Sequence, residues 1–218
     1  MILWFYALTR AVLFILYRVF FRLRCYGTEN VPDDARGVIL APNHASFLDP
    51  PILGIALKRP VTYLAKEYLF KPFPLNFLLR WLGVLPIKSQ SDDFRSVRQL
   101  LRALHEGRCI VVFPEGTRTP HGGFQDPEGG AGFLAVKSRS WVVPVYIQGT
   151  FEAFSRKARF FRPHPVKVFF GRPFIPAEEV WVAERQNHYL AVSQKIMTEI
   201  KKIQEEFGSG ESAQALVR

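Results

Sequence analysis

Cysteine is scarce in this chain: Cys25 and Cys109 are the only two in 218 residues. Two thiols cannot build a disulfide framework or a zinc site made mainly of thiolates, and they fit a reducing compartment. The familiar chemistry-bearing loops are missing too. There is no G-x-S-x-G elbow, no G-x4-G-K-[ST] loop, no G-x-G-x-x-G fingerprint and no H-E-x-x-H helix. These absences argue against serine-hydrolase, P-loop, dinucleotide and zinc-protease chemistry. His121, His164 and His188 lie tens of residues apart, so no metal site is expected. No repeat or low-complexity tract appears. No basic residue precedes the apolar run at 2–21, and Arg22 and Arg24 stand where a small-residue cleavage site would be, which disfavours a signal peptide.

What is present is charge and aromatic surface. The formal net charge is +10, which points to an anionic partner: phospholipid, nucleic acid or a phosphorylated substrate. With 48% hydrophobic and 22% charged residues the chain can bury a core. Twenty Phe, beside four Trp and seven Tyr, is more apolar material than an ordinary soluble domain needs. Residues 2–21 would span about 30 Å as a helix, long enough for a bilayer. Arg10 falls at its midpoint, where insertion costs about 2.5–3.5 kcal/mol, and Arg18 adds a second cation. Trp4, Phe5, Tyr6 and Tyr17 prefer interfaces. The reading favours a peripheral or monotopic helix sunk into one leaflet over a single span.

Beyond that helix the patterns alternate. Continuous apolar runs at 37–43, 61–66, 84–87, 108–113, 142–149 and 165–170 read as strands. Residues 51–57, entered through Asp49-Pro50-Pro51 with Asp49 as cap, read as a short helix. Residues 73–83 read as an apolar helix or membrane-facing loop. Residues 91–107 form the clearest amphipathic helix, with Phe94, Val97, Leu101 and Leu104 at helical spacing and Gly107 as its stop. Residues 120–130 are loop, 131–139 and 186–207 helices. The expected fold is α/β, a mixed, mainly parallel sheet flanked by helices. The division is an apolar membrane-associated helix (1–24), one domain (25–207) and a flexible tail (208–218).

Two segments can carry chemistry. Asn43-His44-Ala45-Ser46-Phe47-Leu48-Asp49 follows a strand, where α/β sheets commonly place ligands. A neutral imidazole is a suitable base near neutral pH once its tautomer is fixed, and Asp49 lies within reach to fix it. Phe113-Pro114-Glu115-Gly116-Thr117-Arg118 follows another strand. Gly116 permits close backbone approach, Thr117 offers a hydroxyl, and Arg118 is a planar fork for phosphate that Glu115 can orient. Either segment alone would pass for a polar turn.

Together, N-H-x4-D and F-P-E-G-T-R resemble the glycerolipid acyltransferase family, and within it the bacterial 1-acyl-sn-glycerol-3-phosphate (lysophosphatidate) acyltransferases. The resemblance runs from about Gly37 to Phe174. It implies a glycerol-3-phosphate acyltransferase-like domain at a membrane surface and direct transfer of a fatty acyl group, without an acyl-enzyme, to the free hydroxyl of lysophosphatidic acid. The donor it implies is acyl-CoA or acyl carrier protein, with no further cofactor, and the product is phosphatidic acid. By the same match His44 is the general base and Asp49 its orienting partner, while Glu115, Gly116, Thr117 and Arg118 engage the acceptor. Lys66 and Lys88 match positions where the family puts phosphate contacts, although Lys88 stands where members usually carry Arg, which costs the bidentate geometry. Val143-Pro144-Val145 matches a further block, and its residues read equally as core. The family places such enzymes on the cytoplasmic face of the inner membrane, in keeping with the basic residues that follow the helix.

The segment from Phe154 to Arg172 holds Arg156, Lys157, Arg159, Arg162, Lys167 and Arg172 with no acid. It suits an anionic leaflet, the phosphates of coenzyme A or an acidic carrier protein. Nucleic acid is disfavoured, because no binding motif accompanies the charge. The alternatives are another lysophospholipid or dihydroxyacetone phosphate as acceptor, a silent lipid-binding protein, and a hydrolase that uses His44 to activate water.

Overall fold

A computed structural model describes residues 3–73, 76, 79, 84–87, 94–176 and 185–207. Its centre is a six-stranded sheet built from β1 (Arg24–Tyr26), β2 (Val38–Pro42), β3 (Val61–Thr62), β6 (Cys109–Val111), β7 (Trp141–Gln148) and β8 (Lys167–Phe170). The spatial order is β1-β8-β7-β2-β6-β3. Every neighbouring pair runs parallel except β7 and β8. A separate parallel pair is formed by β4 (Leu64–Lys66) and β5 (Leu85–Ile87).

β2 is the axis of the molecule, and all its residues are buried. Parallel strands covered on both faces read as continuous apolar runs, as this one does. Its side chains alternate between two cores. Val38 and Leu40 join Leu23, Ile52, Leu53 and Phe170 on one face. Ile39 and Ala41 join Leu104, Leu134, Ala135, Ile196 and Ile200 on the other. The first face is covered by α1 (Leu3–Phe21) and α2 (Asp49–Ala56). The second is covered by α3 (Phe94–His105), α4 (Gly129–Ser138) and α6 (Arg185–Phe207).

The N-terminal helix does not stand apart from the domain. Arg10, Leu13, Tyr17 and Phe21 recur at helical spacing and turn inward: Tyr17 and Phe21 are buried, and Leu13 packs against the same core. Arg10 donates to the carbonyl of Leu57, just past the end of α2, at 3.0 Å. That carbonyl lies at the negative end of the helix, so the mid-helix cation that opposes membrane insertion is satisfied by protein. The opposite stripe, Val12, Ile15, Leu16, Val19 and Phe20, is exposed. Among the described residues no helix is long and apolar enough to cross a membrane.

Three local expectations change. The link after α1 contains β1, which pairs with β8 as an edge strand too short to read as a strand in sequence. The run Val61–Lys66 is two strands in different sheets, with Tyr63 at the corner between them. A five-residue helix, α5 (Thr150–Phe154), follows β7. The apolar segment 73–83 lies largely outside the described residues, as does 208–218.

The packing of α4 on α6 depends on a glycine. A Cβ at Gly132 would lie 2.0 Å from the carbonyl oxygen of Tyr189. The Gly132 N–H donates to the buried Ser193 hydroxyl at 2.9 Å, which ties the two helices at that point. Gly132→Ala is therefore expected to destabilise the fold by about 1–3 kcal/mol through overpacking. Denaturant unfolding at unchanged slope checks this, and an unaltered midpoint would contradict the close approach.

Candidate active site

β2 and β6 are adjacent and parallel, with Leu40 opposite Val111. Their C-terminal ends therefore emerge side by side, and the loops that follow meet although His44 and Glu115 are 71 residues apart. Asn43 continues the strand pairing past the end of β2. Its amide accepts from the Ile147 N–H at 2.7 Å and donates to the Ile147 carbonyl at 3.1 Å. His44 comes next, and its backbone is fastened on both sides. Its N–H donates to Glu115 Oε1 at 2.8 Å, and its carbonyl accepts from the Thr119 N–H at 2.9 Å.

The His44 ring stacks on Phe113, centroids 3.7 Å apart and planes 22° apart. Its Nδ1 sits 2.9 Å from Asp49 Oδ2. The same oxygen accepts from the N–H groups of Ala45 and Ser46 at 2.7 and 2.8 Å. Asp49 is fully buried, and every group on that oxygen is a donor. This assigns the proton to Nδ1 and leaves Nε2 as the free acceptor. The His side chain keeps 16% exposure, enough to present that edge to a ligand. Asp49 proves not to be the helix cap. Leu48 occupies that position, and the Asp49 carboxylate turns back over the 44–46 loop. On the far side, burial and then the Asp49 charge push the Tyr17 phenol up to about 12, so α1 backs the site with a neutral wall.

Glu115 has an unexpected occupation. It is 3% exposed, and its Oε2 accepts from the Gln125 N–H at 2.9 Å while Oε1 holds His44. Both oxygens thus accept from backbone, and Glu115 braces the two loops against each other. Burial raises its pKa, against the two N–H bonds that lower it. Gly116 takes φ +65 and a Cβ there would meet the Glu128 carboxyl at 2.6 Å, which explains the glycine. The N–H groups of Gly116 and Thr117 are engaged by the carbonyls of Phe113 and Glu115. They are thus occupied within the turn itself. Thr117 itself is exposed.

Arg118 lies flat on Phe47, its guanidinium carbon 3.4 Å from the ring centroid. One terminal nitrogen is buried without a hydrogen-bond partner among the described residues. Burial, followed by the neighbouring Arg156, lowers its pKa. A guanidinium with one buried, unpartnered nitrogen beside a second cation is suited to an anion. Lys66 ends β4, and its side chain and the whole of Lys88 fall outside the described residues. The residues missed in sequence are aromatic: Phe113 beneath His44 and Phe47 beneath Arg118. Both lie inside the two motifs, where a ring beside a planar charged group was the available signal. Among the described residues no three His, Cys, Asp or Glu gather to hold a metal.

A family model described as Acyltransferase matches residues 22–148, more than half of the chain. The 1-acyl-sn-glycerol-3-phosphate acyltransferase of Bacillus subtilis is 25% identical over 183 residues, covering 84% of this chain and 88% of that protein. A chloroplastic 1-acyl-sn-glycerol-3-phosphate acyltransferase of Arabidopsis thaliana is 30% identical over 136 residues, of which the match covers only 37% of its length. A lyso-ornithine lipid O-acyltransferase of Pseudomonas aeruginosa is 40% identical over a shorter stretch of 79 residues. The crystal structure of the 1-acyl-sn-glycerophosphate acyltransferase PlsC from Thermotoga maritima superposes with a TM-score of 0.67 at 26% identity. It covers 84% of this chain and 72% of that one.

The brace has a direct test. Glu115→Gln replaces one accepting oxygen by an amine that faces a backbone N–H. It is expected to cost about 1–3 kcal/mol of stability, the penalty for a buried unpaired donor. Thermal unfolding measures it, and a variant as stable as the parent would remove Glu115 from the brace.

Proposed function

The chain belongs to the acyltransferase family, and on that premise we propose that it transfers a fatty acyl group to the free hydroxyl of lysophosphatidic acid, giving phosphatidic acid in phospholipid synthesis. The observation that carries the reading is the His44–Asp49 pair, 2.9 Å apart, with Nε2 of the ring left over as the base. The acceptor's hydroxyl has a pKa far above neutrality and attacks well only as its proton leaves. His44 Nε2 takes that proton while the oxygen bonds to the thioester carbonyl carbon. Asp49 holds the tautomer and stabilises the imidazolium. The carbon–sulfur bond then breaks, the ester remains, and the departing thiolate recovers the proton from His44.

Acid–base help of this kind contributes about 10²–10⁴-fold, and holding the hydroxyl against Nε2 supplies much of the rest. Arg118 is the residue we assign to that holding, through the acceptor's phosphate, with Lys66 and Lys88 as further phosphate contacts. The donor on this reading is acyl-CoA or acyl carrier protein, whose thiolate leaves readily, and no further cofactor is assigned. The exposed apolar stripe of α1 supports attachment to one leaflet, which we place on the cytoplasmic face of the inner membrane.

His44→Ala should lower kcat for phosphatidate formation from acyl-CoA and lysophosphatidate by at least about 10²-fold with the fold retained. Wild-type turnover in that variant would sink the assignment of the base. Arg118→Ala should raise the acceptor's KM by about tenfold or more, the loss of a charge-assisted contact, and leave the donor's KM in place. An acceptor KM that does not move would put the phosphate elsewhere.

A further inference from the structure

Beyond Arg156, which neighbours Arg118, the loop that follows α5 takes no part in this chemistry. Arg156, Lys157, Arg159 and Arg162 are all exposed, and no acid interrupts them. Between those cations stand Phe160 and Phe161, 81% and 61% exposed. The loop is tied back onto the domain, with the Ala158 N–H on the Ser155 carbonyl at 3.1 Å and the Arg162 N–H on the Ala153 carbonyl at 2.8 Å. Phe160 and Phe161 therefore project from a closed, fixed turn.

The loop also connects to the site. Phe161 lies against Phe154 with ring centroids 4.3 Å apart, and Phe154 lies 6.3 Å from Phe47. Phe47 is the half-exposed ring that carries Arg118. An aromatic line thus runs from the projecting turn to the cation at the mouth of the His44 site, with basic side chains along it.

We infer that this turn is a second membrane contact, distinct from α1, which lays an anionic bilayer surface against the active-site mouth. The inference rests on a lipid acceptor at His44. Headgroup phosphates meet Lys157, Arg159 and Arg162, while the Phe160 and Phe161 rings enter the boundary between headgroups and acyl chains. A flat anionic lipid surface uses both kinds of side chain at once. The line of rings then gives an acyl chain an apolar route toward Arg118 and His44.

The test measures sedimentation of the full chain with vesicles of equal parts phosphatidylglycerol and phosphatidylcholine, against phosphatidylcholine alone. Replacing Lys157, Arg159 and Arg162 by Gln together should weaken partitioning to the anionic vesicles on the order of 100-fold, from about 1 kcal/mol per cation near such a surface. It should leave the neutral vesicles little changed. Phe160→Ser should weaken partitioning to the anionic vesicles on the order of tenfold, and its ring is too exposed for the change to unfold the chain. Both variants should turn over a water-soluble short-chain lysophosphatidate at the wild-type rate without vesicles. Unchanged partitioning in the triple variant overturns the inference. So does retained partitioning with a raised KM for acyl-CoA, which would give the loop to the donor. Failure of the wild type in the vesicle-free assay would instead strike the acyl-transfer reading and leave the partitioning result to stand alone.

Discussion

The N–H of His44 donates to the Glu115 carboxylate while its carbonyl accepts from Thr119, so the residue after β2 is fastened by both backbone groups to the loop after β6. The rest of the site hangs from that double attachment. It fixes where the imidazole begins, which lets Phe113 lie beneath the ring and Asp49 reach Nδ1. It requires Glu115 to be buried, where desolvation raises its pKa and two backbone N–H groups pull it back down. It also requires the chain to turn sharply at once, which Gly116 does at φ +65 with the Glu128 carboxyl against it. A base held through its backbone keeps its side-chain edge for the substrate.

Charge is divided by depth. The carboxylates, Asp49 and Glu115, form the floor, each fully or almost fully buried and each occupied by N–H donors. The cations, Arg118 and Arg156, stand further out, and burial followed by the Arg156 charge lowers the pKa of Arg118. Negative charge below orients the imidazole, and unneutralised positive charge above favours an anion at the entrance. An anionic head with a neutral hydroxyl fits this gradient in one orientation only: phosphate outward, hydroxyl inward.

Much of this was legible in the sequence, for physical reasons that can be named. β2, β6 and β7 were readable because central parallel strands are buried on both faces and so carry unbroken apolar runs. His44, Asp49 and Arg118 stood out only when the two motifs were taken together and matched to a family, since either alone passes for a polar turn. The three-residue β1 was not readable, since an edge strand that short leaves no pattern. The break at Tyr63 was hidden because both halves of 61–66 are apolar while only the sheet they join differs. The brace made by Glu115 was hidden, because a carboxylate that binds backbone N–H groups and one that binds substrate are spelled alike. Tertiary placement alone separates them. Arg10 was read as a cost to a membrane helix, and the carbonyl of Leu57 that satisfies it lies 47 residues away.

The crossover from β2 to β6 is where the architecture leaves room for change. The two loops of the site meet because their parent strands are neighbours, and the described residues between them that follow Asp49, through β5 and α3, leave and return without supplying either side of the fastening. Insertions, deletions or rebuilt surfaces there alter what is delivered to the imidazole but not how the imidazole is gripped. Such a scaffold is evolvable in one direction. Sequence can change along the crossover while the fastening keeps the geometry that places the imidazole.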